Sequence, residues 1–429
     1  MSEEITVSGL ESFELSDVAH IEMGQSPGSQ YVVEDPFQGL AFLQGNAEFG
    51  AIYPEPKFGC LQPTKRCKVN DVLISVRAPV GAINLADRDY CIGRGLAAIR
   101  GRGIKPSLLG EIVARQSAAL HRVAQGTTFE AISKKDLLTL KLSLPPRTDW
   151  PQIAKILDTL DTTIHETEAI IAKLKAVKQG LRHDLLTRGI AANGELRSPQ
   201  TEAPHLYKLS PLGWIPKEWD VVTLESASKT VTSGSRDWAR FYADSGALFV
   251  RIGNLTREHI NFHYESTMHV RPPRNADGQR TRLESGDILI SITADLGIIG
   301  VVPDGLGEAY INQHIALVRP DLEAVNSRFV GHYLAGPVAQ TYISKQNDAG
   351  AKAGLNLPTI GGLVTAKPLR AEQDLIATRL DEIDNCIQNA TTESTKLREL
   401  QAGLMDDLLT GHVRVTPLLA EAAQQQGSV

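Results

Sequence analysis

The sequence predicts an α+β protein with two globular mixed α/β domains. They are separated by two long α-helices that form an antiparallel coiled coil, all built from one pseudo-two-fold internal repeat. Three observations carry this. Residues 145–187 and 368–410 align without a gap at a fixed offset of 223. Both stretches place apolar residues at heptad spacing. The segments that precede them echo one another in the same order. A repeat this long is a property of architecture and is read before anything else.

The helices come first. Ile153, Leu157, Leu160, Ile164, Ile171, Leu174, Leu181 and Leu185 fall on alternating steps of four and three, with Thr167 and Lys178 at the skipped positions. That is a coiled-coil seam. Ile376, Leu380, Ile383, Ile387, Leu397, Leu404 and Leu408 follow the same frame, weakened by Ala390, Ser394 and Gln401. The repeat also returns Asp158 as Asp381, Asp161 as Asp384, and Asp184 to Thr187 as Asp407 to Thr410. Asp149 and Pro151 suit a helix start, and Gly189 and Gly411 suit left-handed ends. Gly180 and Gly403 sit inside the pattern, each costing about 1 kcal/mol relative to Ala, and mark either a kink or a close approach. Two unpaired surface helices are the alternative, but each seam would then lack its partner. The first helix leads into the second globular region and the second helix leaves its far end, so pairing requires antiparallel helices. The globular regions are then expected at opposite ends, about an approximate two-fold axis.

The expected boundaries are a globular region at 1–147, a helix at 148–190, a linker rich in Pro, Ser and Gly at 191–212, a second globular region at 213–367, a helix at 368–412 and a flexible tail at 413–429. Within the first region, Phe13 to Ile21 reads as a strand or opening segment, Met23 to Ser29 as a loop, Ala41 to Leu43 and Val72 to Val76 as strands, and Leu108 to Ala124 as a helix. In the second region, Asp287 to Ile292 matches Asp71 to Val76, each followed by a glycine, Gly297 and Gly81. Gly253-Asn254 matches Gly45-Asn46, and Gln313 matches Arg94.

Composition is ordinary for a soluble protein of 429 residues, with 42% hydrophobic and 22% charged residues. No apolar run is long enough to span a membrane and no signal-peptide pattern opens the chain. Cys60, Cys67, Cys91 and Cys386 lack metal-site spacing and are expected as free thiols in a reducing cytoplasm. The net charge is −6, and residues 371–412, with nine acids and three bases, account for all of it. Residues 1–56 hold ten acids and no Lys or Arg, while residues 57–146 hold fifteen bases and six acids. Residues 229–282 hold nine bases, eight of them Arg, against five acids. Local basic faces of this kind suit phosphate backbones, and equally an ordinary solvated surface.

No catalytic constellation stands out. There is no Walker loop, and Gly93-Arg94-Gly95 lacks the third glycine of a dinucleotide site. His259 and His263 lack the intervening glutamate of a zinc protease, and neither a nuclease nor a methyltransferase motif is present. A duplicated binding protein that spaces two recognition surfaces is the reading that remains.

The globular–helix–globular–helix order, the Asp-Leu-Leu-Thr helix ends, the loop Met23-Gly24-Gln25-Ser26-Pro27 and the Gly-x-Ile-Pro-x-x-Trp opening at Gly213 to Trp219 resemble the DNA specificity subunits of type I restriction-modification systems. The resemblance covers nearly the whole chain, although the first region begins at Phe13-Glu14-Leu15 without the Ile-Pro-x-x-Trp opening. It implies two target recognition domains, 1–147 and 213–367, each reading half of a split asymmetric DNA site, with the helices as spacer. It implies a non-catalytic subunit that binds two modification (methyltransferase) subunits and, through the complex, restriction (translocase/nuclease) subunits in phage defence. S-adenosylmethionine, ATP and Mg are then expected on those partners and no cofactor in this chain. From Ile153 to Leu185 the helix rises ~48 Å, compatible with domains leaning inward to reach major-groove segments about one turn, ~34 Å, apart.

Matching loops with side chains suited to base edges and phosphates are the DNA-binding candidates. In the first region these are Gln25, Ser26, Tyr31, Gln44, Asn46, Arg77, Arg94, Thr127 and Thr128. In the second they are Arg236, Arg251, Asn254, Thr293, Gln313, His314, Lys352 and Asn356. Met23 and Tyr31 have a core alternative. The acidic face of the second helix, with Asp381, Glu382, Asp384, Asp406 and Asp407, suits a basic partner or plain solvent. Two other functions stay open: an adaptor with protein-binding domains on a coiled-coil ruler, binding no DNA at any salt, and an enzyme turning over substrate without partners.

Overall fold

The computed structural model describes residues 9–125, 131–272, 276–348 and 354–415. The chain divides into two compact units. Unit 1 comprises residues 1–168 and 393–429, and unit 2 comprises residues 169–392. Both long helices are present, at Trp150–Thr187 and Arg370–Leu409, and the division falls within each of them.

The helices pair antiparallel, and each unit shows it independently. In unit 1, Gln401 donates to the Asp161 carboxylate and Arg398 pairs with Glu168, so one helix number rises as the other falls. In unit 2, Lys178 pairs with Asp384, while Leu185 packs with Ile376 and Leu380. The predicted seam is buried or half-buried throughout. Its ends have a second role that heptad spacing does not reveal. Ile153, Leu157 and Leu408 belong to the globular core of unit 1, and Leu185, Ile376 and Leu380 to that of unit 2.

The duplication extends strand by strand. Unit 1 has a four-stranded sheet in the order Ala19–Met23, Leu96–Gly101, Val72–Ser75, Ile83–Leu85. Unit 2 has the same sheet from Ser228–Ser233, Ile315–Pro320, Ile288–Ser291 and Ile299–Val301. Each unit adds a sheet containing one parallel pair: Leu40–Leu43 beside Tyr90–Ile92, and Ala247–Val250 beside Ala309–Ile311. The central strands Val72–Ser75 and Ile288–Ser291 are buried along their length, as their unbroken apolar runs require.

Side-chain latches repeat as well. Buried Asp71 takes both arms of Arg100 at 2.7 Å, and buried Asp287 takes Arg319 at 2.9 and 2.8 Å. Ser75 and Ser291 each cap the following turn, accepting from Ala82 N and Ile298 N at 2.8 Å. Those turns contain Gly81 and Gly297 at φ +87° and +78°, a conformation that favours glycine.

The structure corrects several local expectations. Phe13 to Ile21 is not one strand. The Asp17 carboxylate accepts from Glu14 N at 2.7 Å and fixes a helical turn, so Glu11–Glu14 pairs with Lys141–Leu144 while Ala19–Met23 joins the main sheet. The helix expected at Leu108 to Ala124 is two, Pro106–Arg115 and Ser117–Gln125, which lets Leu120 and Ala124 enter the core that holds Leu108 and Ile112.

The linker at 191–212 is packed rather than loose. Tyr207–Ser210 forms a hairpin with Gly213–Pro216, and Arg197 grips Glu372, which also accepts from Trp219 Nε1 at 3.1 Å. In unit 1, Arg414 donates to Asp149 at 3.2 Å in the equivalent way. The missing tryptophan of the first region is answered by Trp150, buried edge-on against Phe13 at 5.6 Å with Arg147 over both rings. Gly180 and Gly403 do not mark close packing, since a Cβ at either would meet nothing within 4 Å. Gly189 and Gly411 close their helices at positive φ. All four cysteines are free, three of them buried. The end of the expected tail, 416–429, lies outside the described residues.

Candidate nucleic-acid interface

The candidate residues gather where the parallel strand pair of each unit ends. In unit 1, Gln44 directly follows Leu40–Leu43 and Arg94 follows Tyr90–Ile92 by two residues. Gly93 N donates to Leu43 O at 2.7 Å, and Gln25 N donates to Ile92 O at 2.9 Å, drawing the 24–28 loop onto the same corner. Ser26 joins the pieces: its hydroxyl accepts from Gln44 Nε2 at 3.2 Å and from Arg94 N at 3.3 Å. Gly24 and Gly95 allow this approach, because a Cβ at either would meet backbone oxygen at 2.1 and 2.6 Å. Arg77 follows Val76, whose N–H donates to Gly95 O at 2.9 Å, so it enters the same neighbourhood. Gln25, Gln44, Arg77 and Arg94 are exposed. Asn46 and Tyr31 are half-buried in 3-10 turns, and Tyr31 belongs to no hydrophobic core cluster.

Unit 2 builds the same corner with other side chains. Arg251 follows Ala247–Val250, and Gln313 follows Ala309–Ile311 by two residues. Asn312 N donates to Val250 O and Gly234 N to Ile315 O, both at 3.2 Å. Arg236 is exposed on the incoming loop. Thr293 Oγ1 lies 2.7 Å from His314 Nδ1, and Gln313 Nε2 lies 2.9 Å from His314 Nε2. Arg251 Nη2 donates to Ser266 at 3.3 Å, while its buried Nε has no hydrogen-bond partner.

Two candidates spend their amides on local structure, Asn254 buried and Asn356 exposed. Asn254 is 1% exposed, and its amide is spent on Arg251 N, His263 O and Ser266 O at 2.9–3.1 Å. Its counterpart in unit 1 is Glu48, which accepts from Gln44 N and Gly45 N at 3.1 Å. The strands therefore align Gln44 with Arg251, one residue off the Gly-Asn match seen in the sequence. Asn356 caps the helix Leu357–Gly361 through Thr359 N at 2.8 Å. Thr127, Thr128 and Lys352 lie outside the described residues.

Sequence reasoning missed the supports. Arg280 donates to Thr232 and Ser235 at 2.7 Å and so holds the 233–236 loop. Lys65 pairs with Glu22, and that hydrogen bond holds the Glu22 carboxyl below its ordinary range. Glu48 is one of ten acids in a segment without bases, and only the fold shows that its buried carboxylate accepts from backbone N–H groups.

The acidic face of the second helix is divided, with Asp381 and Asp384 turned inward and Glu382 and Asp406 exposed. Asp381 accepts from Arg328 and lies 2.7 Å from His332, Asp384 is 1% exposed against Lys178, and Asp406 meets Arg115 at 3.1 Å. Glu382 stays exposed. The repeat explains this: Asp158, the partner position of Asp381, meets Lys105 and Ser107 in unit 1. The repeated carboxylates fasten each globular domain to the helices.

Among the described residues, no helix is long and apolar enough to cross a membrane. The chain is 38% identical over 169 residues to a putative type I restriction enzyme MjaX specificity subunit of Methanocaldococcus jannaschii, covering 39% of this chain and 40% of that one. It is 25% identical over 303 residues to the type I restriction enzyme MjaVIII specificity subunit of the same organism, covering 68% and 67%. The match thus spans well under half of the first relative's length. The S subunit of a type I restriction-modification system from M. genitalium shares the fold at a TM-score of 0.61, with 14% identity over 95% of this chain and 98% of that one. The family model for the type I restriction modification DNA specificity domain matches twice, at residues 8–176 and 216–400. The chain therefore belongs to the type I restriction modification DNA specificity family, and carries its domain in two copies.

Proposed function

We propose that this chain is the DNA specificity subunit of a type I restriction-modification assembly, each unit reading one half of a bipartite, asymmetric duplex site. The observation that carries this is the repeated corner. Gln44 and Arg94 in unit 1, and Arg251 and Gln313 in unit 2, stand on equivalent loops at the end of a parallel strand pair. All four are side-chain types that read base edges in the major groove. Arg77 and Arg236 beside them suit phosphates. In this reading the chain performs no catalysis. Two modification subunits carry S-adenosylmethionine and methylate adenine, while restriction subunits carry ATP and Mg, and the assembly acts in the cytoplasm. The paired helices set the spacing between half-sites and dock the modification subunits. Ile170 and Val177, one heptad apart and 55% and 50% exposed on the first helix, support such a contact.

The test is duplex binding by the assembled complex across a salt series, with methylated adenines mapped in parallel. One bipartite sequence should emerge, and log affinity should fall linearly with log salt as phosphate contacts release counterions. Equal affinity for every duplex would refute sequence reading, binding of none at any salt would favour the adaptor, and turnover without partners would favour an enzyme.

A further inference from the structure

We infer that His314 is a positioning residue that locks the side-chain amide of Gln313 in the orientation matching adenine. This rests on the reading of unit 2 as a DNA-reading domain. The argument is one of donors and acceptors. Gln313 Nε2 lies 2.9 Å from His314 Nε2. An amide nitrogen only donates, so with the amide placed this way that ring nitrogen accepts and Nδ1 carries the ring proton. The Nδ1–H then donates to Thr293 Oγ1, 2.7 Å away. With the amide in this placement, one proton arrangement satisfies all three side chains.

The backbone fixes the two ends of this relay. Ile292 N donates to His314 O at 3.0 Å, which brings Thr293 beside the ring, and His314 N donates to Asn312 Oδ1 at 3.2 Å. With one N–H held by His314, Gln313 has its Oε1 acceptor and its second N–H left. That acceptor–donor pair complements adenine N6–H and N7, whereas guanine presents two acceptors, O6 and N7. Turning the amide over would require the other tautomer, with His314 Nε2–H donating to Oε1 and the Thr293 hydroxyl donating to Nδ1. The arrangement is private to unit 2. In unit 1 the position of His314 is Gly95, that of Gln313 is Arg94 and that of Thr293 is Arg77.

The experiment measures affinity of the assembled full-length chain for duplexes substituted singly at each half-site position. Wild type should prefer adenine over guanine at one position by roughly tenfold or more. Gln313→Ala should abolish that preference and identify the position. Thr293→Val and His314→Gln should bring the adenine-to-guanine ratio there toward one, while Thr293→Ser, which keeps the hydroxyl, should retain it. Discrimination in the half-site read by unit 1 should stay unchanged in every variant, which separates lost positioning from lost folding.

If Gln313→Ala removes a preference that Thr293→Val and His314→Gln both leave intact, the positioning role is wrong and the reading of unit 2 survives. A guanine preference at the position governed by Gln313 would also overturn it. If Gln313→Ala changes no position, Gln313 is not a reader. If wild type discriminates no sequence, the DNA-reading function itself fails.

Discussion

The two units share one frame and differ in what the frame holds. Lys178 and Asp384 of unit 2 occupy the same repeat positions as Gln401 and Asp161 of unit 1. In unit 2 the pair is an ion pair with Asp384 1% exposed, whereas in unit 1 it is an amide on an exposed carboxylate. At the corners where the parallel strand pairs end, the contrast runs the other way. Unit 1 offers two exposed arginines, Arg77 and Arg94, where unit 2 offers a Thr293–His314–Gln313 relay. Duplication preserved the carboxylates that fasten domain to helix and let the outward side chains diverge. Such a pair of domains is suited to two unlike half-sites.

The largest expected difference lies in the seam. Lys178→Met leaves the Asp384 carboxylate buried without its partner and should destabilise unit 2 by about 3–5 kcal/mol, with the Lys178→Met/Asp384→Leu double variant recovering most of it. Gln401→Met in unit 1 should cost under about 1 kcal/mol, because Asp161 keeps its solvent. Denaturant unfolding followed with a probe in each unit checks both, and equal losses would erase the contrast.

A pH difference should follow. Burial lowers the pKa of His332 below its ordinary 6.5, outweighing the Asp381 carboxylate beside it, with Asp384 and Arg328 the other charges near it. Burial also lowers His259. A depressed folded value means the unfolded chain binds protons first. The stability these groups contribute is whole above about pH 6.5 and is lost as pH falls below it. In unit 1 the equivalent carboxylate, Asp158, meets Lys105 and Ser107 and no histidine. Hydrogen-exchange protection of residues 327–334 should fall between pH 7.5 and 5.5 while that of residues 106–115 holds. His332→Asn with His259→Asn should flatten the fall.

The smallest expected effect is symmetric. Gly180→Ala and Gly403→Ala enter open space within helices and should each stabilise by about 0.8–1.0 kcal/mol. A loss at either, in thermal unfolding, would show that the glycine serves a contact made by a partner.

The architecture was legible because it is written twice. Heptad spacing gave both helices to within a few residues, and the repeat matched equivalent strands of the two regions. Helix direction followed from connectivity alone. The supports were not legible, because they depend on which side chains meet across long sequence separations. Asp71 was visible as a repeated residue, yet its pairing with Arg100 needs the sheet. Asp381 and Asp384 looked like a solvated face because periodicity shows a helix stripe, not what a neighbouring domain lays over it. Asn254 looked like a reader because an amide that caps a turn and an amide that reads a base are the same residue type. The linker hid its packing for a similar reason: Pro and Ser spacing does not disclose that Arg197 reaches Glu372.

The most direct test of the central claim is selection from randomised duplexes by the assembled complex carrying either Arg94→Ala or Arg251→Ala. Arg94→Ala should relax base preference in one half of the bipartite site and leave the other half as in wild type, and Arg251→Ala should do the reverse. Each lost base contact should cost about 1–3 kcal/mol of discrimination. If either substitution degraded both halves equally, the two units would not read separately, and the account would be contradicted.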